Sequence, residues 1–196
     1  MNDFRNDQGV WSMRFLLEGV SRPTKAYSVW SQMNVRCNSD RWHDISVNYR
    51  GCHMSDLFAD YQKFTDWYVA QIGYNLSGWQ LDKDLLVKGN KLYSENTCIL
   101  LPQYVNSLLM NSKQARGTLP LGVSYNTLSG RYVAQCSTRE SKRSKHLGYF
   151  NNIDSAFAAY KNFKEKYIKS VAEEFKSVLD ERAYQALLKY EICIDD

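Results

Sequence analysis

The first part of the chain is organised by apolar residues at helical spacing. In residues 24–39 and again in residues 54–73, apolar side chains recur every three or four positions, which predicts two amphipathic helices. Ser55 is predicted to cap the N-terminus of the second helix, and Gly73 is predicted to end it. Residues 79–102 hold two short apolar runs around a polar turn, which predicts two strands, or a strand and a helix, around a loop.

The later part follows a different pattern of short extended runs and long helices. Residues 121–125, 130–137 and 145–150 predict three strands joined by polar turns. A long helix follows with Asn152 as its cap, and a last helix is predicted over residues 180–192. Three antiparallel strands backed by one helix leave the other face of the sheet free.

A polar, basic segment separates the two patterns. Residues 103–111 predict a short helix, and residues 112–120, closed by Pro120, predict a linker. We therefore expect an α+β chain with an N-terminal part over residues 20–111 and a C-terminal part over residues 121–196.

Basic residues are concentrated around the predicted sheet. Residues 113–146 hold seven Lys or Arg and one acid, Glu140, although the net charge of the whole chain is only +4. Alternation along the middle strand turns Arg131, Gln135 and Ser137 toward the free face. A basic, polar sheet face indicates a surface that binds a polyanion.

The composition narrows the class of protein. With 44% hydrophobic residues the chain can bury a core, which excludes a disordered protein. The five cysteines form no C-x-x-C pair, which predicts free thiols, and Cys37, Cys52, His53 and His43 match no strong zinc template, so zinc is not expected. No apolar run approaches the roughly 18–20 residues of a membrane span, and no signal-peptide core precedes the first helix. We expect a soluble cytoplasmic protein without a membrane partner.

Four motifs of the later part carry a resemblance to a known family. They are "GV" at 122–123, "GRYVAQ" at 130–135, "HLGYF" at 146–150 and "AFAAY" at 156–160. These motifs resemble the DNA-binding domain of plant ethylene-response factors, which also occurs in phage homing endonucleases. The resemblance implies that the sheet lies in the major groove of double-stranded DNA and that alternate strand residues read base edges.

The resemblance also implies which side chains face the bases. They are Ser124, Gln135, Ser137 and His146, with Arg131 on the same strand face. The turn beside that face supplies four basic residues for phosphate contacts: Arg139, Lys142, Arg143 and Lys145. The plant domains are rich in Arg and Trp here, whereas this chain has Ser, Gln and His. Gln pairs bidentately with adenine and Val133 can touch a thymine methyl, which favours readout of A·T steps.

The first part resembles phage-encoded HNH-type proteins. The resemblance lies in "YSVWSQMNVRC" at 27–37, "YRGC" at 49–52 and "WQLDKDLLVKGNKLYSENTC" at 79–98. With the later motifs it covers about residues 20–175, most of the chain. It implies that residues 20–111 form a helical half with an HNH-like ββα-metal site.

The same resemblance assigns roles to residues of the segment 79–102, which we call the hairpin. Asp82 matches the metal-binding acid, Asn90 the residue that braces the loop, and Asn96 the residue that completes the metal site. The ion implied is Mg²⁺ or Mn²⁺, which would stabilise the leaving oxygen of the scissile phosphate.

Lys83 stands where an HNH hairpin carries its histidine, so the site is altered. That histidine normally deprotonates the attacking water. The neighbouring Asp82 and Asp84 favour the charged form of a lysine, which suits Lys83 to holding a phosphate better than to acting as a base. His43 and His53 are the histidines of this part of the chain from which a base or a ligand would come.

Three functions compete on this reasoning. The first is a sequence-specific DNA-binding protein of the phage HNH homing-endonuclease type, with weak or nicking metal-dependent endonuclease activity in the bacterial host cell. The second is a catalytically inactive DNA-binding repressor or regulator built on the same scaffold. The third is a protein-interaction module, which the charge bias of residues 113–146 argues against.

Overall fold

The computed structural model describes residues 5–6, 8–109, 117–141 and 143–196. Most of the predicted linker, and Lys142 of the predicted phosphate contacts, lie outside the described residues. Helices and strands both contribute, and they include a three-stranded antiparallel sheet, so the α+β prediction is confirmed. None of the helices in the described ranges is long and apolar enough to cross a membrane.

Contacts divide the described residues into two compact units. The N-terminal unit holds those up to Asn106 together with Val178–Ala183, and the C-terminal unit holds those of Ser107–Ser177 and Tyr184–Asp196.

The N-terminal unit is built from short elements. Its strands are β1 (Arg14–Leu17), β2 (Val20–Pro23), β3 (His53–Met54), β4 (Trp79–Asp82), β5 (Leu92–Tyr93) and β6 (Ile99–Pro102). Its helices are α1 (Lys25–Asn38), α2 (Asp40–Ile45), α3 (Asp56–Ala59), α4 (Tyr61–Val69) and, up to Asn106, α5 (Gln103–Leu109), with a 3₁₀ turn at Val47–Tyr49. β1 pairs with β2 and β4 with β6, both antiparallel, while β3 and β5 form a parallel pair.

The two predicted helices of this unit have different outcomes. The first is confirmed as α1, which Thr24 caps by accepting the backbone N–H of Tyr27. The prediction of one helix over residues 54–73 is wrong, because the chain breaks at Asp60 into α3 and α4. The Asp60 carboxylate accepts backbone N–H groups of the next turn, so a side chain that serves well as a cap begins a new helix.

Aromatic side chains from these helices fill the core of the N-terminal unit. Phe58 and Phe64 are fully buried, and the ring centroid of Phe58 lies 4.7 Å from that of Trp67. Three thiols share this core, from Cys37, Cys52 and Cys98. The core therefore supports one side of the hairpin formed by β4 and β6.

The C-terminal unit is a sheet covered on one face by a helix. Its elements are β7 (Val123–Asn126), β8 (Arg131–Cys136), β9 (Lys145–Phe150), α6 (Ile153–Phe175) and, from Tyr184 onward, α7 (Glu181–Leu188). The strand order is β7-β8-β9, with antiparallel pairing throughout. Asn152 caps α6 by accepting the backbone N–H of Ser155 at 2.8 Å, as the sequence predicts.

Close contact between α6 and the start of β7 depends on one glycine. Gly122 has φ +74°, and a Cβ built there would lie 2.0 Å from the ring of Tyr160 on α6. Side chains of α6 such as Phe157 and Ile168 are buried, as are Ala134 and Cys136 on β8. The helix-covered face is thus the packed one, and the strand residues between these positions point the other way.

Candidate functional site

Asp82 ends β4 and initiates the hairpin loop. Its Oδ1 accepts the backbone N–H of Asp84 at 3.0 Å and that of Leu85 at 2.7 Å, which makes it a turn-forming side chain. Burial raises the pKa of the Asp82 carboxyl, while these two N–H bonds favour its charged form. The carboxylate is therefore positioned by backbone contacts, in surroundings poor in water.

Lys83 closes the same loop from inside. The residue is only 7% exposed, and its Nζ donates to the carbonyl oxygen of Asn90 at 2.6 Å and to Asp84 Oδ1 at 2.7 Å. The ammonium also lies 5.9 Å from the centroid of the Tyr93 ring. Its contacts are thus with the loop, whereas a group that holds a phosphate needs to meet solvent.

Asn90 braces the opposite side of the loop. Its Nδ2 donates to the carbonyl oxygens of Lys83 and Leu92, and its Oδ1 accepts the backbone N–H of Leu92 at 2.9 Å. Lys83 and Asn90 therefore bind each other's backbone in a reciprocal way. These hydrogen bonds tie the two sides of the loop together.

Asn96 is an exposed residue in the turn between β5 and β6. Asp82 is opposite Ile99 in the β4–β6 pair, so the strands bring Asp82 and Asn96 to the same end of the pair. A carboxylate and an amide oxygen are ligands that suit Mg²⁺ or Mn²⁺, with water or phosphate oxygens completing the shell. Within the described residues, no group of three or more His, Cys, Asp or Glu side chains is arranged to hold a metal.

The two histidines of this unit differ in their surroundings. His43 lies within α2, and its Nε2 is 2.8 Å from the carbonyl oxygen of Arg36. His53 is exposed and lies opposite Leu92 in the β3–β5 pair. Leu92 directly follows the loop that Asn90 braces. The fold thus brings His53 to the edge of the hairpin.

Burial holds two thiols of the core, those of Cys37 and Cys98, in the protonated form. Burial raises the pKa of Cys37 to about 11 and that of Cys98 to about 12. Because the thiolate is the form that reacts and binds metals, these cysteines are unreactive at neutral pH.

The sheet of the C-terminal unit presents an open face opposite α6. We define the open face by the strand residues that alternate with the buried ones: Ser124, Asn126, Arg131, Val133, Gln135, His146 and Tyr149. Arg131, Gln135 and His146 are exposed. Ser137 follows directly after β8, where its hydroxyl lies 3.1 Å from that of Ser144.

A β-bulge decides which residues of β9 join the open face. Plain alternation would place His146 and Tyr149 on opposite faces, because they are three residues apart. A register shift between Ala134 and Gln135 pairs Gln135 with His146 and Val133 with Tyr149, so that both rings lie on one face with centroids 4.8 Å apart. Sequence reasoning missed Tyr149. The available signal was Gly148, since a glycine inside a strand often marks a bulge.

Two of the described basic residues of the turn contact side chains of α6. Arg139 donates to Glu174 Oε1 at 2.8 Å, and its backbone N–H donates to the hydroxyl of Tyr167, so it is held on α6. Lys145 is opposite the buried Cys136, and its Nζ lies 4.8 Å from the centroid of the Phe163 ring. Arg143 is exposed in the turn.

Compared with known proteins, the chain matches no protein-family model, no curated protein and no solved structure. Any assignment of function therefore rests on the chemistry of the open face and of the hairpin.

Proposed function

We propose that the chain binds double-stranded DNA in a sequence-specific manner through the open face of its C-terminal sheet. The observation that carries the proposal is the set of side-chain groups on that face. It offers hydroxyl, amide, imidazole and guanidinium groups, and none of its side chains is a carboxylate. Base edges in the major groove offer donors and acceptors that such groups can pair with, and the groove admits a two-stranded ribbon such as β8–β9.

The charge distribution supports a polyanionic partner over a protein partner. Arg131 on the open face and Arg143 in the turn are both exposed and can reach phosphates. Arg139 is engaged with Glu174, but both side chains are more than half exposed, and an ion pair of this kind contributes only about 0–1 kcal/mol. Arg139 can therefore exchange Glu174 for a phosphate at little cost.

The proposal also agrees with the resemblance to the plant and phage DNA-binding domains. In that mode Ser124, Gln135 and His146 meet base edges. Gln135 is the residue whose chemistry predicts a particular base, because a Gln amide pairs bidentately with adenine.

The experiment is selection of a binding site from random duplexes, followed by fluorescence anisotropy with that site. Gln135→Ala is expected to relax preference at one base pair, at a cost of about 1–3 kcal/mol. Arg143→Ala is expected to weaken all sequences alike and to reduce the slope of log K against log salt by about 0.9. Unchanged affinity and selectivity in both variants would place the DNA contacts elsewhere.

A second candidate activity, metal-dependent nicking of DNA, rests on the hairpin. It is favoured by the position of Asp82 and Asn96 at one end of the β4–β6 pair, together with the resemblance to phage HNH proteins. Asp82 and Asn96 would hold Mg²⁺ or Mn²⁺, which would supply charge stabilisation at the scissile phosphate. Lys83 is occupied by Asn90 and Asp84, so it offers no base, and loss of a positioned base slows cleavage by about 10²–10⁴. The alternative is a DNA-binding regulator that does not cut.

Plasmid cleavage in Mn²⁺ distinguishes nicking from regulation. The variants are Asp82→Ala, which removes the metal ligand, and Lys83→His, which adds an imidazole. Lys83→Met is the matched control, because it removes the same hydrogen bonds of the lysine without adding a base. Slow nicking that needs Asp82 and rises only in Lys83→His supports the enzyme, and absence of cleavage in all variants supports the regulator.

A further inference from the structure

The middle of the open face is apolar. Val133 lies directly between Ser124 on β7 and Tyr149 on β9 in the strand register, and the Tyr149 ring contacts that of His146. Tyr149 is 52% exposed. We call Val133 and Tyr149 the apolar centre, and the polar ring of His146 borders it. The apolar centre is a small hydrophobic surface in a face that otherwise consists of polar side chains.

This inference rests on the DNA-binding function proposed above. In the major groove, base edges are polar except at C5 of the pyrimidines, which carries a methyl group in thymine and a hydrogen in cytosine. Cytosine can carry the same substituent when it is methylated. An apolar side chain set against a polar base atom would deprive that atom of its hydrogen bond to water, which is costly. The C5 methyl group is thus the part of a base that the apolar centre can meet without loss.

We propose that the apolar centre reads the C5 methyl group of a pyrimidine in the site, with Tyr149 and Val133 forming its two sides. In unmodified DNA that pyrimidine is a thymine. Gln135 is opposite His146 in the register, so the methyl group belongs to the base pair that Gln135 reads or to its neighbour. Gln135 and the apolar centre together select an adenine and a thymine within one or two steps.

The chain provides a matched control for Tyr149. Tyr125 is 50% exposed, almost the same as Tyr149, but it lies on the helix-covered side of the same sheet, where its ring is 5.1 Å from that of Tyr132. Replacing either tyrosine removes an equally exposed ring, and only one of the two is on the open face. A general effect of losing a surface tyrosine will therefore be equal in the two variants.

The test uses the selected duplex and derivatives in which each thymine in turn is replaced by deoxyuridine, which removes only the methyl group. With the wild-type chain, we expect one position at which deoxyuridine weakens binding by about fourfold, the effect of one buried methyl group. Tyr149→Ala should bind thymine and deoxyuridine equally at that position, Tyr149→Phe should keep the discrimination, and Tyr125→Ala should keep it in full. In a second arm, 5-methylcytosine replaces each cytosine, and a gain that depends on Tyr149 would show that the methyl group is read on either base.

The outcomes that overturn the inference differ from those that overturn DNA binding. If no thymine and no cytosine shows a methyl effect while Gln135→Ala still changes base preference, the chain binds DNA and does not read the methyl group. The same conclusion follows if Tyr149→Ala and Tyr125→Ala keep equal sensitivity to deoxyuridine. Absence of binding to any duplex removes the proposed function itself, and the inference with it.

Discussion

Replacing Lys83 with methionine tests whether a buried ammonium holds the hairpin loop in shape. The two side chains are similar in length, and methionine keeps the apolar contacts of the lysine stem. The substitution removes the hydrogen bonds from Nζ to Asn90 at 2.6 Å and to Asp84 at 2.7 Å. It leaves the backbone carbonyl of Asn90 without its charged donor.

The size of the effect follows from the exposure of the two partners. A hydrogen bond from a charged donor contributes about 1.5–3 kcal/mol, and this applies to the bond with the partly buried Asn90 carbonyl. The Asp84 side chain is 52% exposed, so the ion pair adds at most about 1 kcal/mol, and its carboxylate regains water when the ammonium is lost. Methionine also removes the cost of burying a charge. The free energy of unfolding should therefore fall by about 2 kcal/mol.

Tryptophan fluorescence in urea measures this unit selectively. The chain has five tryptophans, and all are in the N-terminal unit: Trp11, Trp30, Trp42, Trp67 and Trp79. Lys63→Met is the matched control, because Lys63 is 65% exposed and its Nζ is 3.9 Å from an Asp60 oxygen. That control should change the free energy of unfolding by less than about 0.5 kcal/mol. Equal effects of the two substitutions would refute the argument that Lys83 holds the loop.

Three further predictions concern packing, pH and chain organisation. Gly122→Ala should destabilise the C-terminal unit much more than Gly130→Ala in calorimetry. Both glycines have positive φ, but a Cβ at Gly122 would lie 2.0 Å from the Tyr160 ring, whereas the atom nearest to a Cβ at Gly130 is 3.9 Å away. Equal losses of stability would show that the Tyr160 ring moves aside. Burial raises the pKa of Cys98 from 9.0 to about 12, so its contribution to stability is complete below pH 9 and is lost as the pH rises from 9 to 12. In urea titrations over pH 8–10.5, the free energy of unfolding should decline with pH, and the decline should be shallower in Cys98→Ala than in the wild type. Equal declines in the two proteins would contradict this prediction. Limited proteolysis should cut first within residues 112–120, and a fragment from residue 117 onward should fold and bind DNA; resistance of this segment, or an unfolded fragment, would indicate a shared core.

The regular elements of the chain were predictable where burial follows one period. α1 and α6 have long apolar stripes and local caps at Thr24 and Asn152, so sequence and structure agree on them. The break at Asp60 was missed because the apolar spacing continues across it, and the cap competes locally with a continuous helix. The β1–β2 hairpin went unnoticed because almost all of its side chains are exposed, which leaves no pattern of burial to read.

The candidate sites were predictable in part for a related reason. Alternation places Gln135 and Arg131 on the open face, because a strand with one covered side has a period of two. The same rule fails at Tyr149, since a register shift is a property of two paired strands. The enclosure of Lys83 was also out of reach. It depends on Asn90, seven residues away, folding back to present its carbonyl oxygen.

The bulge between Ala134 and Gln135 has a consequence for how this protein can change over generations. Leu147 is the extra residue of β9, because Gly148 pairs with Ala134 and His146 pairs with Gln135. Deletion of the Leu147 codon would therefore restore plain pairing and still leave His146 and Tyr149 on the open face. The irregular strand is thus a place where the chain can lose one residue in a single heritable step while the open face and the helix-covered core of β7 and β8 stay intact.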